Sequence, residues 1–279
     1  MILYGEREPV APLARWHTVR PDGSARRDLD LMATCAVWWP DGSAILTTDD
    51  AAAGPGRPLR PALVDSDGSN LRRLDAVDNP YLNLGCGDVS PDGTTLALEG
   101  FGQDGHPELD GIYSIDASDG GGLKLLLAGP VAPPKYSPDG RQLSFFDDRE
   151  GVSPTGSGAL FVMRADGTDP VRITPWGFTF GDHAWSPDDR WIVFQRPYGQ
   201  LYLVHPDGSG LHRIPLELPP GSGALNPSWS PDGAWIAFSL QRDDGATIAL
   251  VRPDGTGFRT VPTAVGQLQS PDWAMSSAP

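Results

Sequence analysis

The chain is poor in cysteine, in positive charge and in long apolar runs, and each shortage removes a class of protein. Two cysteines, Cys35 and Cys86, are too few for the disulfide framework that staples small secreted domains, and no Cys-x-x-Cys pair is present for zinc or redox chemistry. Lysine and arginine number 21 against 36 aspartate and glutamate, a formal charge of −15. A nucleic-acid binder needs a basic surface to displace counterions from phosphates, so nucleic acid is not an expected partner, and anionic membrane surfaces are disfavoured for the same reason. No apolar run approaches the roughly 18 residues of a membrane-spanning helix, so no membrane association is expected. Residues Met1 to Glu8 lack the basic start and apolar stretch of a secretory signal, which gives a cytoplasmic expectation. Also missing are a Gly-x-Ser-x-Gly elbow, a His-Glu-x-x-His pair, a phosphate-binding Gly-x-x-x-x-Gly-Lys loop and a dinucleotide fingerprint.

What is present is a repeat. The 279 residues are 39% hydrophobic, enough for a sizeable core, and the 34 glycines and 29 prolines are scattered between short apolar runs, as turns between strands would be. Trp229-Ser230-Pro231-Asp232-Gly233 and Trp185-Ser186-Pro187-Asp188-Asp189 are the clearest copies. Tyr136-Ser137-Pro138-Asp139-Gly140, Val89-Ser90-Pro91-Asp92-Gly93 and Trp38-Trp39-Pro40-Asp41-Gly42 extend the series, and Pro271-Asp272-Trp273 supplies a truncated last copy. The anchors fall at 38, 89, 136, 185, 229 and 273, spaced by 51, 47, 49, 44 and 44 residues.

A second motif alternates with the first. It runs from Val19-Arg20-Pro21-Asp22-Gly23 to Val251-Arg252-Pro253-Asp254-Gly255, with copies ending at Gly68, Gly120, Gly167 and Gly208. Proline presets φ and glycine accepts the positive φ of a tight hairpin, so each unit reads as four short strands. A four-stranded antiparallel unit of about 45 residues is one propeller blade. The fold class expected is therefore all-β, a six-bladed β-propeller occupying residues 1–279 as one domain. The last copy holds only an inner strand, around Leu268 to Ala274, and the N-terminus supplies three more: Ile2 to Tyr4, Arg15 to Val19 and Ala25 to Leu29. Closing the ring this way removes an exposed sheet edge.

Ser-Pro-Asp-Gly after an inner-strand tryptophan, Ile236-Ala237-Phe238 after it, and Asp67-Gly68 before Leu71-Arg72-Arg73-Leu74 resemble the WD40-like (PD40) repeat of TolB-like propellers. The resemblance covers essentially the whole chain and implies fold more than function, because the matching residues are turn and packing residues. Similar propellers serve as protein-interaction modules, as gating domains of prolyl-oligopeptidase-like peptidases and as frames of pectate-oligomer lyases. They often use a channel cation, so a divalent ion in the channel is compatible with the resemblance; no other cofactor is expected, and the metal ligands are left unassigned.

Candidate functional residues are those that break the repeat. Asp88, Lys135, Asp182, His183 and Asp272 place ionisable groups on inner strands, where burial perturbs pKa values. One reading makes His183 a general base or metal ligand beside Asp182 or Asp88, with Arg196 nearby; the other makes it a channel histidine bonded to water or backbone. Loops joining an outer strand to the next inner strand contribute Tyr81, Trp176 and Phe178, and loops between second and third strands contribute Tyr198 and His106, a set able to form an amphipathic binding surface with Asp88, Lys135 and Asp272. Cys35 and Cys86 occupy equivalent positions in adjacent blades and are read as two inert core thiols. Asp65-Ser66-Asp67-Gly68-Ser69-Asn70 is read as a hairpin, since it lacks the spacing and closing glutamate of a calcium loop.

Two functions compete. The first is a non-enzymatic propeller, a monomer, holding a protein, peptide or small molecule at its channel face. The second is a lyase, hydrolase or cyclase acting at the channel mouth through His183, Asp182 and Arg196.

Overall fold

A computed structural model describes residues 1–7, 13–49, 57–103, 105–147, 158–178, 181–196, 199–263 and 267–274, the side chains of 267–269 excepted. It consists of six four-stranded antiparallel sheets in a ring. The chain opens with β1 (Ile2–Arg7), β2 (Ala14–Val19) and β3 (Arg27–Ala33). Blade 1 follows with β4 (Ala36–Trp38), β5 (Ala44–Thr48), β6 (Pro61–Asp65) and β7 (Arg72–Arg73). Blade 2 is β8 (Leu82–Val89), β9 (Thr95–Gly102), β10 (Gly111–Asp116) and β11 (Lys124–Ala128); blade 3 is β12 (Lys135–Tyr136), β13 (Gln142–Asp147), β14 (Ala159–Arg164) and β15 (Val171–Arg172). Blade 4 is β16 (His183–Trp185), β17 (Ile192–Arg196), β18 (Gln200–Val204) and β19 (His212–Arg213), and blade 5 is β20 (Gly223–Trp229), β21 (Ile236–Arg242), β22 (Gly245–Val251) and β23 (Arg259–Thr260). In blade 6 the order is β24 (Gln267–Trp273), β1, β2, β3, so the two ends of the chain meet in one sheet, with Ile2 opposite Trp273 and Leu3 opposite Asp272.

The repeated hairpins build each blade locally. In Ser-Pro-Asp-Gly the serine hydroxyl donates to the aspartate, 2.6 Å in Ser230–Asp232, and accepts the N–H five residues on, 2.9 Å from Trp235. Ser90, Ser137 and Ser186 do the same. The second hairpin carries glycine for two reasons. Gly68 has φ +85°, and a Cβ there would fall 2.1 Å from the Leu29 carbonyl oxygen of the preceding blade. The corresponding Gly167 has φ +92° and would meet Leu126 O at 2.5 Å. The turn glycine is thus also the point where neighbouring blades touch.

The core lies in the seams between blades. Alternation along each strand sends one row of side chains to each neighbour, and every seam holds its own apolar cluster: Leu46, Leu63 and Leu74 of blade 1 meet Leu84, Leu96 and Leu98 of blade 2, and Ile2, Tyr4 and Val19 of blade 6 meet Ile248, Leu250 and Val261 of blade 5.

The cysteines are not free thiols. Cys35 and Cys86 form a disulfide, with Cα atoms 6.0 Å apart and a sequence separation of 51. Equivalent positions on adjacent inner strands face each other across the blade 1–2 seam, which is why the pair reaches bonding distance.

Candidate functional site

The inner strands surround a central cavity of about 610 Å³. Its wall is set by the repeat. Three residues before each anchor stand Cys35, Cys86, Pro133, Asp182, Asn226 and Ser270, and one residue before it stand Val37, Asp88, Lys135, Ala184, Ser228 and Asp272; all of them line the cavity, and so do His183 and Trp185 on either side of Ala184. A β-bulge separates the two tiers in β8, β20 and β24, between Leu84 and Gly87, Leu225 and Ser228, and opposite Leu3 to Gly5. A bulge re-aims the strand and leaves a residue unpaired.

Asp88, Lys135, Asp182 and Asp272 come together in this cavity. Asp88 Oδ2 accepts the Tyr136 N–H of blade 3 at 2.8 Å, and Asp272 Oδ2 accepts the Trp38 N–H of blade 1 at 2.8 Å. Each aspartate therefore ties its blade to the next at the channel edge, where an inner-strand N–H has no sheet neighbour. Asp182 Oδ2 accepts the Ser270 hydroxyl at 3.0 Å, joining blades 4 and 6. Burial pushes the Asp88 and Asp272 carboxyls up, against the opposing pull of Lys135. Burial works against the Lys135 charge, but Asp88, Asp272 and Asp182 outweigh it and hold the ammonium above the usual lysine range. Among the described residues the Lys135 ammonium makes no direct hydrogen bond or ion pair, so it is available to a ligand.

His183 is 4% exposed and belongs to the blade 3–4 seam. Its Nε2 lies 2.8 Å from the Ser144 hydroxyl, which also accepts the Trp185 indole N–H at 2.7 Å. Burial, with Lys135 adding repulsion, lowers its pKa to about 3, so the ring is neutral at physiological pH. To act as a base it would have to release Ser144 and take a proton that its surroundings disfavour. Arg196 is turned elsewhere: its guanidinium carbon sits 4.1 Å from the Phe178 ring centre and 5.6 Å from that of Tyr202. Phe178 meets Tyr202 edge-on, and Trp176 packs against Phe161 under Arg172, so these loop aromatics are engaged within blades 3 and 4. Tyr81 is 46% exposed and its ring lies against His106, whose Nδ1 is 2.7 Å from Glu108. Tyr198 lies outside the described residues.

No group of three or more His, Cys, Asp or Glu side chains among the described residues is arranged to hold a metal ion. The donor chemistry agrees: Asp88 and Asp272 each spend an oxygen on backbone N–H, and an ammonium stands among the carboxylates. The channel cation allowed by the resemblance therefore does not fit this donor set.

Two structural residues escape sequence reading. Ser144 pairs with Lys135 across β12 and β13, where the other blades pair their equivalent residue with Leu46, Ala97, Val193, Ala237 and Leu3. Aligning that position would have shown the one hydroxyl in an aliphatic ring. Arg60 is 4% exposed and donates to the carbonyls of Leu59, Val77, Asn79 and Leu82, pinning the loop into blade 2; no repeat marks it.

Residues 73–277 match the family described as PD40, TolB beta propeller domain. TolB from Acinetobacter baumannii is similar with a TM-score of 0.74 at 20% identity, over 98% of this chain and 66% of its own. An oligogalacturonate lyase in complex with manganese gives a TM-score of 0.57 at 16% identity, over 92% of this chain and 73% of its own. The uncharacterized peptidase YuxL of Bacillus subtilis (strain 168) is 33% identical over 67 residues, 24% of this chain and 10% of that protein. The chain thus spans a tenth of this curated relative and just under two thirds of the Acinetobacter protein, and the structural likenesses speak to fold alone.

Proposed function

The chain belongs to the TolB β-propeller family, and from that premise we propose that it is a binding propeller whose central channel holds a peptide, protein segment or small molecule without transforming it. The observation that carries this reading is the cavity of about 610 Å³ with Lys135 unpaired among Asp88, Asp182 and Asp272. A concave, largely apolar wall with a few convergent polar groups is how ligand sites are built. The enzyme reading takes His183 as base or metal ligand; its bond to Ser144 and low pKa weigh against the base, and the Lys135 ammonium among the carboxylates weighs against the metal.

The test is a thermal-shift screen of short peptides and small molecules on the native chain and on Lys135→Met, with mass spectrometry of each hit after incubation. Hits that lose their shift in Lys135→Met and return chemically unchanged support the proposal. Hits returned as products would favour the enzyme instead, and shifts indifferent to Lys135→Met would move binding out of the channel. The Cys35–Cys86 bond also supports an oxidising compartment, in place of the cytoplasmic expectation, because such bonds are rare where thiols are kept reduced. Thiol counting on protein isolated from its source under alkylating conditions decides it: two free thiols would refute the assignment.

A further inference from the structure

Blade 2 carries a charge that channel binding alone does not use. Between Arg73 and Lys124 the chain has ten aspartate and glutamate residues and no lysine or arginine, against −15 for the whole molecule. Tyr81 and Phe101 stand exposed at the loop end of this blade, at 46% and 38%. Phe101 and Glu99 alternate along β9 and so share a face. Both lie over Gly85, where a Cβ would come 3.2 Å from the Phe101 ring and 3.9 Å from Glu99 Oε2, and Gly85 itself lines the channel. The Glu99 side chain makes no hydrogen bond or ion pair among the described residues. Burial, with Asp110 adding repulsion, raises its pKa to about 7. Arg60, a buried arginine on the loop before β6, is committed to backbone carbonyls. An uncompensated carboxylate beside an open aromatic ring is the environment a cationic side chain completes, by ion pairing and by contact with the ring face.

We propose that the loop end of blade 2, around Glu99, Phe101 and Tyr81, docks a lysine- or arginine-bearing segment of a protein partner at the mouth of the channel. The inference rests on the channel-face reading and names the partner's chemistry: Glu99 and Asp110 take the charge, and Phe101 and Tyr81 take the aliphatic stem.

Fluorescence anisotropy with labelled Lys-Trp-Lys-Trp-Lys-Trp and Glu-Trp-Glu-Trp-Glu-Trp peptides tests it. The basic peptide binds at least about tenfold tighter, and Phe101→Ala, Tyr81→Ala and Glu99→Gln each weaken it by about three- to tenfold. Asp207→Asn, on the hairpin face, leaves it unchanged. Tyr81→Ala alters an exposed ring only, so its result stands even if a Glu99 variant folds poorly. Binding of the basic peptide that is indifferent to Tyr81→Ala and Phe101→Ala, or no better than that of the acidic peptide, overturns the inference. Loss in Lys135→Met with no loss in the blade 2 variants sinks this proposal and leaves the channel reading standing; the reverse pattern sinks the channel reading.

Discussion

The single hydroxyl of Ser144 decides how two large buried side chains behave. Trp185 and His183 both end on it, while the indole N–H groups of Trp38 and Trp229, which face seams without such a serine, have no hydrogen-bond partner. Ser144→Ala should therefore destabilise the fold by about 1–3 kcal/mol, by orphaning His183 Nε2 and leaving the Trp185 indole N–H only its longer bond to the Lys135 carbonyl at 3.3 Å, a loss readable in urea denaturation. His183→Phe in that background should recover part of it, because an apolar ring no longer needs a partner. A stability unchanged by Ser144→Ala would show that water satisfies both. The pH dependence follows from the same burial. His183 titrates near 6.5 in the unfolded chain and about 3 in the fold. The unfolded state binds the extra proton between those values, so stability is full above about pH 6.5 and falls as pH drops toward 3. His183→Phe should flatten that limb of the melting-temperature profile. Glu99 has the opposite sign: its pKa is raised to about 7, so stability falls as pH rises from about 4.5 to 7, and Glu99→Gln should raise the melting temperature at pH 8 more than at pH 5. At this scale the sequence was only partly legible. The inner-strand position of His183 could be read from the repeat, but its partner lies 39 residues away on a neighbouring blade, and Arg60 spends its charge on carbonyls that no motif encodes.

At the scale of the element, hairpins were legible because their chemistry is local. Pro-Asp-Gly names its own turn, and the structure places strands on either side of each copy. Strand ends were less so: β21 and β22 run on to Arg242 and from Gly245, past the last core side chains Leu240 and Ala246, because backbone pairing continues where no apolar pattern marks it. The bulges in β8, β20 and β24 were invisible for the same reason, being features of pairing. Two glycines separate turn conformation from crowding. Gly68 and Gly105 have φ +85° and +87°, but a Cβ on Gly68 meets Leu29 O at 2.1 Å, whereas nothing lies within 4 Å of one on Gly105. Gly105→Ala should cost about 1 kcal/mol, the penalty of a left-handed alanine. Gly68→Ala should cost clearly more, because the blade 6–1 seam must part. Equal losses in denaturant midpoint would mean that blade contact adds nothing to the demand for glycine there.

The whole ring was the most legible level, because closure is demanded by six anchors of which the last lacks three strands. What could not be read is how unevenly the seams are secured. The blade 1–2 seam is covalently tied by Cys35–Cys86, and linking residues 51 apart stabilises by about 4 kcal/mol if chain entropy governs. Blade 6 is the opposite case, since β24 and β1 belong to opposite ends of the chain and hold together by pairing, by the Ala274 N–H bond to Met1 O at 2.9 Å, and by Asp272 reaching Trp38. The ring should therefore open at the β24–β1 junction first. A chain ending at residue 266 keeps five blades and leaves β1 as a bare edge, so its melting temperature should fall by on the order of 10 °C and it should self-associate. A synthetic peptide of residues 267–279 added in trans should restore both properties, and the same peptide with Asp272→Ala should restore them less, because it pairs with β1 without engaging the Trp38 N–H. Breaking the disulfide by Cys35→Ser should lower stability by about 2–4 kcal/mol without self-association, since no sheet edge is uncovered. A truncated chain that melts with the intact one, or a peptide that rescues nothing, would mean that the five-bladed remainder stands alone and that closure is not what holds the channel wall in place.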